Sequence, residues 1–518
     1  MHVTVHTEFG SRRVKAQPGD TLYSVIKRVQ GVTFDAPCGG RHTCGKCKVK
    51  ASGGISETGK TETELLTERE LAEGIRLACC TAVTGDCEVW LAGTVDMSIQ
   101  TEGQHSGAFD LSPAAGLDGT PARWGAAVDI GTTTVAVYLC DLTGGIVAAT
   151  DAFVNPQRSF GADVITRLEY IMKNHPSGTE ELRSALIREL NSSLERLCSR
   201  VGITPRDIGC IALAGNTVMQ HIAAGRDARG IANAPFTVDT LFGYSVGAEE
   251  AGIEAAPHAS VFYMPCFAAY VGGDIAAGLI AAGVDQSDGV TLFIDVGTNG
   301  EMGLGNKNGI SLCATAAGPA FEGAQIECGM AGVTGAINEV WEEGGTLRFS
   351  VIGGGRPRGI CGSGLIDAVA TLLDLGIVDE TGRLEENFYL DRESGVYLSP
   401  HDIRELQLAK AAVCGGIMTL LDHAGLDTSD VSRVALAGGF GAHINRRSAC
   451  RIGLIPAELE DKIEVVGNTA GMGAVAYLMS ASVRDRTSKI NGPASHYLEL
   501  SGNEFFMDAY VEQMMFPE

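Results

Sequence analysis

Short apolar runs broken by glycine recur along the chain, and their order repeats. Residues 126–150 read AAVDIGTTTVAVYLCDLTGGIVAAT, and residues 291–315 read TLFIDVGTNGEMGLGNKNGISLCAT. Each predicts short strands joined by glycine turns, with a DxGT loop after the first. Each copy is followed by an apolar strand running into a glycine loop, IALAGNTVMQH at 211–221 and VALAGGFGAHI at 434–444. A strand and helix then close each half, within VFYMPCFAAYVGGDIAAGLI at 261–280 and IEVVGNTAGMGAVAYLM at 463–479. Two copies of β-β-β-α-β-α-β-α predict two similar α/β domains facing each other across a cleft. Both DxGT loops would lie at carboxyl ends of strands, where such folds hold ligands. Residues 402–417, DIRELQLAKAAVCGGI, alternate at helical spacing and predict an amphipathic core helix ending at Gly415-Gly416.

Residues 101–122, TEGQHSGAFDLSPAAGLDGTPA, lack apolar periodicity and read as a linker. The expected division is a first domain at 1–98, a flexible linker at 99–123, and two subdomains at 124–285 and 286–518. A hydrophobic content of 45% with 68 glycines fits a globular α/β chain rather than a disordered one. The start, MHVTVHTEFGSRRV, has no apolar h-region, and no uninterrupted apolar stretch reaches about 18 residues, so no signal peptide or membrane partner is expected. Fifteen cysteines without a secretion signal point to a reducing, cytoplasmic setting. A net charge of −24 argues against nucleic acid. Residues 1–100 are neutral, with 12 Lys+Arg and 12 Asp+Glu, while the remainder holds 27 and 51. A neutral first domain is less repelled by the acidic body than an acidic one would be.

Residues 35–48, DAPCGGRHTCGKCK, carry the densest chemistry. Cys38, Cys44 and Cys47 form C-x5-C-x2-C in a glycine-rich loop, and Cys79 follows 32 residues after Cys47. Four soft thiolates converging from a tight loop and one distant strand suit a [2Fe–2S] cluster. Gly39, Gly40 and Gly45 would let backbone N–H groups approach its sulfurs. The alternatives are a zinc site or buried free thiols, although only Cys44 and Cys47 form the short pair zinc favours. Strand alternation would send Cys79 and Cys80 to opposite faces, so only one ligates. The RLAC segment resembles the ending of adrenodoxin-type and plant-type ferredoxin domains, which implies Cys79 and leaves Cys80 and Cys87 as small core residues.

In DIGTTT (129–134) and DVGTNGE (295–301), glycine turns the chain sharply between strands. Following N–H groups and Thr hydroxyls then point into the cleft as phosphate donors. The expected set is Gly131, Thr132, Thr133 and Thr134 in one loop, and Gly297, Thr298, Asn299 and Gly300 in the other. Asp129 and Asp295 are hard oxygen ligands suited to Mg²⁺. Glu301 and Glu322 are candidates for orienting the metal or a water, or are solvated carboxylates.

The duplicated arrangement resembles the acetate kinase, sugar kinase, Hsp70 and actin superfamily. That resemblance implies a duplicated ribonuclease H-like, actin/Hsp70-type ATPase core behind a β-grasp ferredoxin-like domain, a multidomain α/β protein with ATP between its halves. It makes AGGFG (437–441), with Gly438, Gly439 and Phe440, the adenosine loop, and brings in Gly318. Lys410, on the 402–417 helix, would approach nucleotide.

NPQRSFGADVITRLEY (155–170), GNTVMQH (215–221), YVGGDIAAG (270–278), AGPAFEGAQIECGM (317–330), GICGSGLIDAV (359–369) and VGNTAGMGA (466–474) resemble a narrower family, the ATP-dependent reductive activators of corrinoid proteins. The resemblance covers essentially the whole chain. It implies delivery of one electron to Co(II) in an inactive corrinoid protein, restoring Co(I), with an upstream low-potential electron donor. Longer members carry an extra middle domain, which this chain is expected to lack.

Three other functions remain open at this level. They are activation of another low-potential metalloenzyme, a small-molecule kinase with a redox-sensing domain, and a nucleotide-gated binding protein. The eleven histidines show no metal-ligand spacing such as HExxH. His42 is a surface residue or a hydrogen-bond donor near a cluster sulfur; His221 and His443 are expected as satisfied cleft residues. Cys313, Cys328 and Cys361 could suggest a second cluster, but glycine-rich strand ends often hold a small buried Cys, and that is the expectation here.

Overall fold

The computed structural model describes residues 1–7, 10–26, 28–29, 40, 42, 45–91, 110–297, 299–323, 325–438 and 441–517. Strands β1 (His2–Thr7), β2 (Gly10–Lys15), β3 (Lys48–Ile55), β4 (Ile75–Leu77) and β5 (Val83–Trp90) form one mixed sheet in the order β2-β1-β5-β3-β4. Period-two alternation buries Val3, Val5, Val49 and Val89 on one face, against Leu22, Val25 and Ile26.

The first half of the body is a six-stranded sheet of β6 (Trp124–Ile130), β7 (Thr134–Asp141), β8 (Ile146–Val154), β9 (Ile208–Gly215), β10 (Tyr244–Gly247) and β11 (Ser260–Tyr263). The antiparallel meander β6-β7-β8 is flanked by β9 and then β11, both parallel to β6. The second half repeats this with β12 (Val290–Val296), β13 (Gly300–Asn306) and β14 (Gly309–Thr315). An inserted unit of β15 (Ala336–Glu343), β16 (Thr346–Val351), β17 (Gly359–Ile360), β18 (Phe388–Asp391) and β19 (Val396–Leu398) follows. The flanking parallel strands are then β20 (Val431–Ala437) and β21 (Ile463–Gly467), with β22 (Ser495–Tyr497) on the far edge. The register is equivalent: Asp129 lies beside Ala214, and Asp295 beside Ala437.

Five helices matter for the site: α1 (Gly178–Val201), α2 (Gly273–Ala281), α3 (Gly362–Asp374), α4 (Pro400–Ala424) and α5 (Thr469–Met479). The closing helices pack on one another's sheets. Ile275, Leu279 and Ile280 of α2 pack with Phe293, Leu312 and Ala435 of the second sheet. Ala474, Leu478 and Met479 of α5 pack with Ala127, Tyr138, Ala212 and Ala214 of the first. The helices cross where a Cβ on Gly473 would stand 2.1 Å from the Ala277 carbonyl oxygen, so only glycine permits the approach. The halves are interlocked rather than merely joined.

Two expectations change here. Helix α4 runs through Gly415-Gly416 and ends at Ala424, with Gly425 left-handed at φ 65°. Those glycines serve packing: a Cβ on Gly416 would meet Met302 at 2.4 Å, and Gly415 lies against Tyr510. Residues 110–123 are also packed. Ser112 and Ala114 donate backbone bonds to Met479 and Leu478, and Ala114 and Ala122 are buried. The rest of the expected linker, 99–109, lies outside the described residues. Among the described residues, no helix is long and apolar enough to cross a membrane.

Candidate functional site

Between the halves lies a cavity of about 680 Å³, and it collects both DxGT loops. Asp129, Gly131, Thr132, Thr133 and Thr134 line it from the first half; Asp295, Gly297, Asn299, Glu301 and Gly438 line it from the second. Gly438 is left-handed at φ 91°, and a Cβ there would stand 2.5 Å from an Asp295 oxygen. Gly300 faces Thr315 and Val413 inside the second-half core, and neither it nor Gly318 lines the cavity. Thr298, Gly439 and Phe440 fall outside the described residues.

A fourth carboxylate completes the floor. Asp274 sits in the first turn of α2, behind YVGG, and was not singled out from the sequence. Burial pushes Asp129 up to about 6, although Asn468 donates to it. Burial, with Asp129 close by, pushes Asp295 up to about 7. Burial and then the charges of Asp295 and Asp129 push Asp274 up to about 8. Burial and then Asp274 and Asp295 hold Glu301 well above the ordinary carboxyl range. Asp274 feels the charges of Asp295 and Asp129, and Glu301 those of Asp274 and Asp295, so the four buried acids form a hard-oxygen set whose charge a divalent cation would neutralise. The residues therefore fit Mg²⁺.

The loops are braced from below. Asn155 donates from its side chain to the Gly131 carbonyl at 2.8 Å, and its backbone N–H donates to Thr133 O. Fully buried Arg167 donates to the carbonyls of Gly161 and Thr132 and to Gln157 Oε1. The motif at 155–170 is thus the cradle of the first DxGT loop. Two asparagines play paired parts. Asn216 caps the helix Thr217–Ala223 and donates to Thr132 Oγ1 at 3.2 Å. Asn468 caps α5 and donates to Asp129 at 2.8 Å. The legible signal was the Gly-Asn-Thr triplet, which occurs after a strand in both halves.

Other side chains go where the sequence did not indicate. Fully buried Lys410 faces away from the cavity: Nζ donates to Met515 O and lies 5.3 Å from the Phe516 ring centroid. His221 is buried in the first-half core against Phe242, while His443 does line the cavity. Glu322 lines it too and accepts from Thr133 at 3.3 Å, joining the halves. The inserted unit adds a wall of Asn338, Ser350, Cys361 and Ser363, a contribution no motif announced. Cys313 is buried and Cys328 half-buried.

In the N-terminal unit the sulfurs of Cys47 and Cys79 lie 3.3 Å apart; Cys38 and Cys44 are outside the described residues. Cys79 is not on a strand. β4 stops at Leu77, and the turn after it also brings Cys80 Sγ within 3.7 Å of Cys79, so alternation does not separate the two. Exposed His42 places a ring nitrogen within 4.8 Å of both sulfurs. Close approach of Cys47, then burial, raises the Cys79 thiol pKa far above the ordinary range. Two thiols so placed need a metal to hold them as thiolates, which fits an iron–sulfur cluster. Buried Glu62 steadies the turn: it takes two bonds from Arg76, at 2.9 and 2.8 Å, and one from Leu77 N–H.

Fold and site together define a duplicated actin/Hsp70/sugar-kinase-type nucleotide-cleft protein carrying a ferredoxin-type domain. Residues 6–84 match the 2Fe-2S iron-sulfur cluster binding domain, 124–287 the RACo middle region, and 289–518 the C-terminal domain of RACo, the ASKHA domain. The corrinoid activation enzyme RamQ of Eubacterium limosum is 32% identical over 420 residues, covering 76% of this chain and 70% of that one. The [Co(II) methylated amine-specific corrinoid protein] reductase of Methanosarcina barkeri is 24% identical over 426 residues, covering 76% and 77%. A solved reductive activator for corrinoid,iron-sulfur protein superposes with a TM-score of 0.71 at 32% identity, covering 100% of this chain and 98% of that one. The chain belongs to the family of reductive activators of corrinoid proteins. The [2Fe–2S] match excludes the zinc reading. The expectation of a missing middle domain is corrected: the middle region is the first half of the cleft itself, and the chain spans the solved activator end to end.

Proposed function

We propose that this chain couples ATP use to one-electron reduction of a corrinoid protein, from inactive Co(II) to Co(I). The observation that carries the reading is the pairing, in one chain, of converging Cys47 and Cys79 with a cleft floored by four buried carboxylates. Asp129, Asp274, Asp295 and Glu301 would hold Mg²⁺, and the loop residues from Gly131 to Thr134 would receive phosphates through N–H and hydroxyl donors. Gly438 would lie against adenosine, since a bare backbone admits a flat ring. Cys38, Cys44, Cys47 and Cys79 would hold the cluster, which when bound would supply one-electron transfer between a low-potential donor and the corrinoid partner.

For one electron, each ~59 mV uphill is a factor of ten in equilibrium, so a low-potential acceptor needs a second input. Nucleotide supplies it only by binding two states of the complex differently. Two halves meeting through Asn468–Asp129 and Thr133–Glu322 are the element whose arrangement nucleotide would bias. The test is an anaerobic absorbance assay with a Co(II) corrinoid protein and a chemical reductant. Conversion to Co(I) is expected with Mg-ATP and not without it. Equal rates in both would return the kinase and sensor readings to the front.

A further inference from the structure

The ferredoxin-type domain touches both walls of the cleft. Tyr23 Oη donates to the carbonyl of Ser159, in the segment that cradles the first DxGT loop. Lys46 Nζ donates to the carbonyl of Gly329, on the second-half wall, at 3.3 Å. Lys46 lies between Gly45 and Cys47, and its side chain lines the same cavity as the four carboxylates. The Tyr23 ring packs under Gly40 of the cluster loop, where a Cβ would stand 2.8 Å from it. Both contacts therefore leave from the immediate surroundings of the cluster, and they land on opposite sides of the opening.

We propose that Lys46 and Tyr23 form a clasp through which cleft occupancy and docking of the cluster domain strengthen one another, with Lys46 as a positioning cation for the nucleotide phosphates. This deepens the ATP reading above and rests on it. The charge argument sets the sign. A triphosphate brings negative charge into a cavity already acidic, and among the described residues the Lys and Arg side chains lining it, Arg158 and Lys46, come from the first half and the cluster domain. An ammonium at the cavity wall favours the phosphate-loaded state, and by linkage a loaded cavity holds the domain that carries the ammonium. A shift of either wall moves one landing point relative to the other, so the cluster loop senses whether the halves are closed.

The experiment measures binding of a non-hydrolysable Mg-ATP analogue to the full-length, cluster-loaded chain, with the EPR spectrum of the reduced cluster recorded with and without it. The wild-type chain is expected to bind the analogue and to change its cluster spectrum on binding. Lys46→Ala is expected to bind about tenfold more weakly, in the range of ordinary coupling between sites, and to lose the spectral response. Lys46→Arg should restore both, and Tyr23→Phe should blunt the spectral response. Unchanged visible absorption of the cluster in each variant reports an intact domain. An unaltered affinity in Lys46→Ala, beside a wild type that binds, overturns the clasp alone. A wild type that binds no analogue overturns the nucleotide reading and the clasp with it.

Discussion

Asn468 Nδ2 donates to the Asp129 carboxylate at 2.8 Å, across 339 positions of sequence and from one half of the body to the other. The same side chain accepts the N–H of Gly471 through its Oδ1, capping the helix that packs on the first-half sheet. One amide thus orients a carboxylate of the site and starts the helix that locks the halves together. Asn468→Asp keeps the cap but replaces the donor with a second negative charge. It is expected to cut ATP turnover at least tenfold with the cluster spectrum unchanged. Asn468→Ala should additionally cost about 1 kcal/mol of stability through the lost cap, read from chemical denaturation.

Asp129→Ala and Asp295→Ala are each expected to abolish ATP turnover while leaving iron content and the reduced-cluster spectrum intact, because cleft and cluster stand on separate cores. Turnover surviving in both proteins would dismiss the two-loop site.

The carboxylate floor predicts a pH signature. Asp295 and Asp274 hold protons up to about 7 and 8, against an ordinary 3.8, so the folded apoprotein binds more protons than the unfolded chain between these values. These two acids add no cost below pH 3.8, erode stability as pH rises, and reach their full cost above about 8. Mg²⁺ must displace those protons, so its affinity should climb between pH 6 and 8 with measurable proton release. Asp274→Asn is expected to flatten the climb. A calorimetric titration in buffers of different ionisation enthalpy checks it.

The cluster should contain about two irons per chain, with an EPR signal only after reduction. Cys79→Ser is expected to damage that signal and Cys80→Ser to spare it. The opposite pair of results would move the fourth ligand to Cys80, whose sulfur is close enough to serve.

Glu62→Ala should destabilise the N-terminal domain by about 3–5 kcal/mol, the usual penalty for stranding one partner of a buried ion pair. The Arg76 guanidinium would be left without its carboxylate beside the Cys79 turn. Cluster loss on mild heating, at temperatures where the two halves of the body stay folded, is the expected readout.

How much of this was readable before folding depended on where the information lay. The strand-loop-strand pattern around Asp129 and Asp295 is local, because apolar alternation and a glycine turn are consecutive choices along the chain. It located both DxGT loops and the duplication, and the cysteine spacing at 38–47 is equally local. Lys410 shows the limit. Its helical face was legible, but which surface covers that face depends on the C-terminal residues Met515 and Phe516, more than 100 positions away.

By itself the sequence determined the ferredoxin-type loop, the doubled α/β pattern and the two aspartates that end equivalent strands. Tertiary structure alone decided that Asp274 joins them and that Glu301, a candidate from the sequence, is a buried member of the floor rather than a solvated carboxylate, since the acids share charge only once the halves close around them. It also decided that α2 and α5 exchange sheets and that Lys46 reaches the cleft wall. Those facts are distances between segments far apart in the chain. Propensity and periodicity act over a few residues, whereas burial and charge act through space.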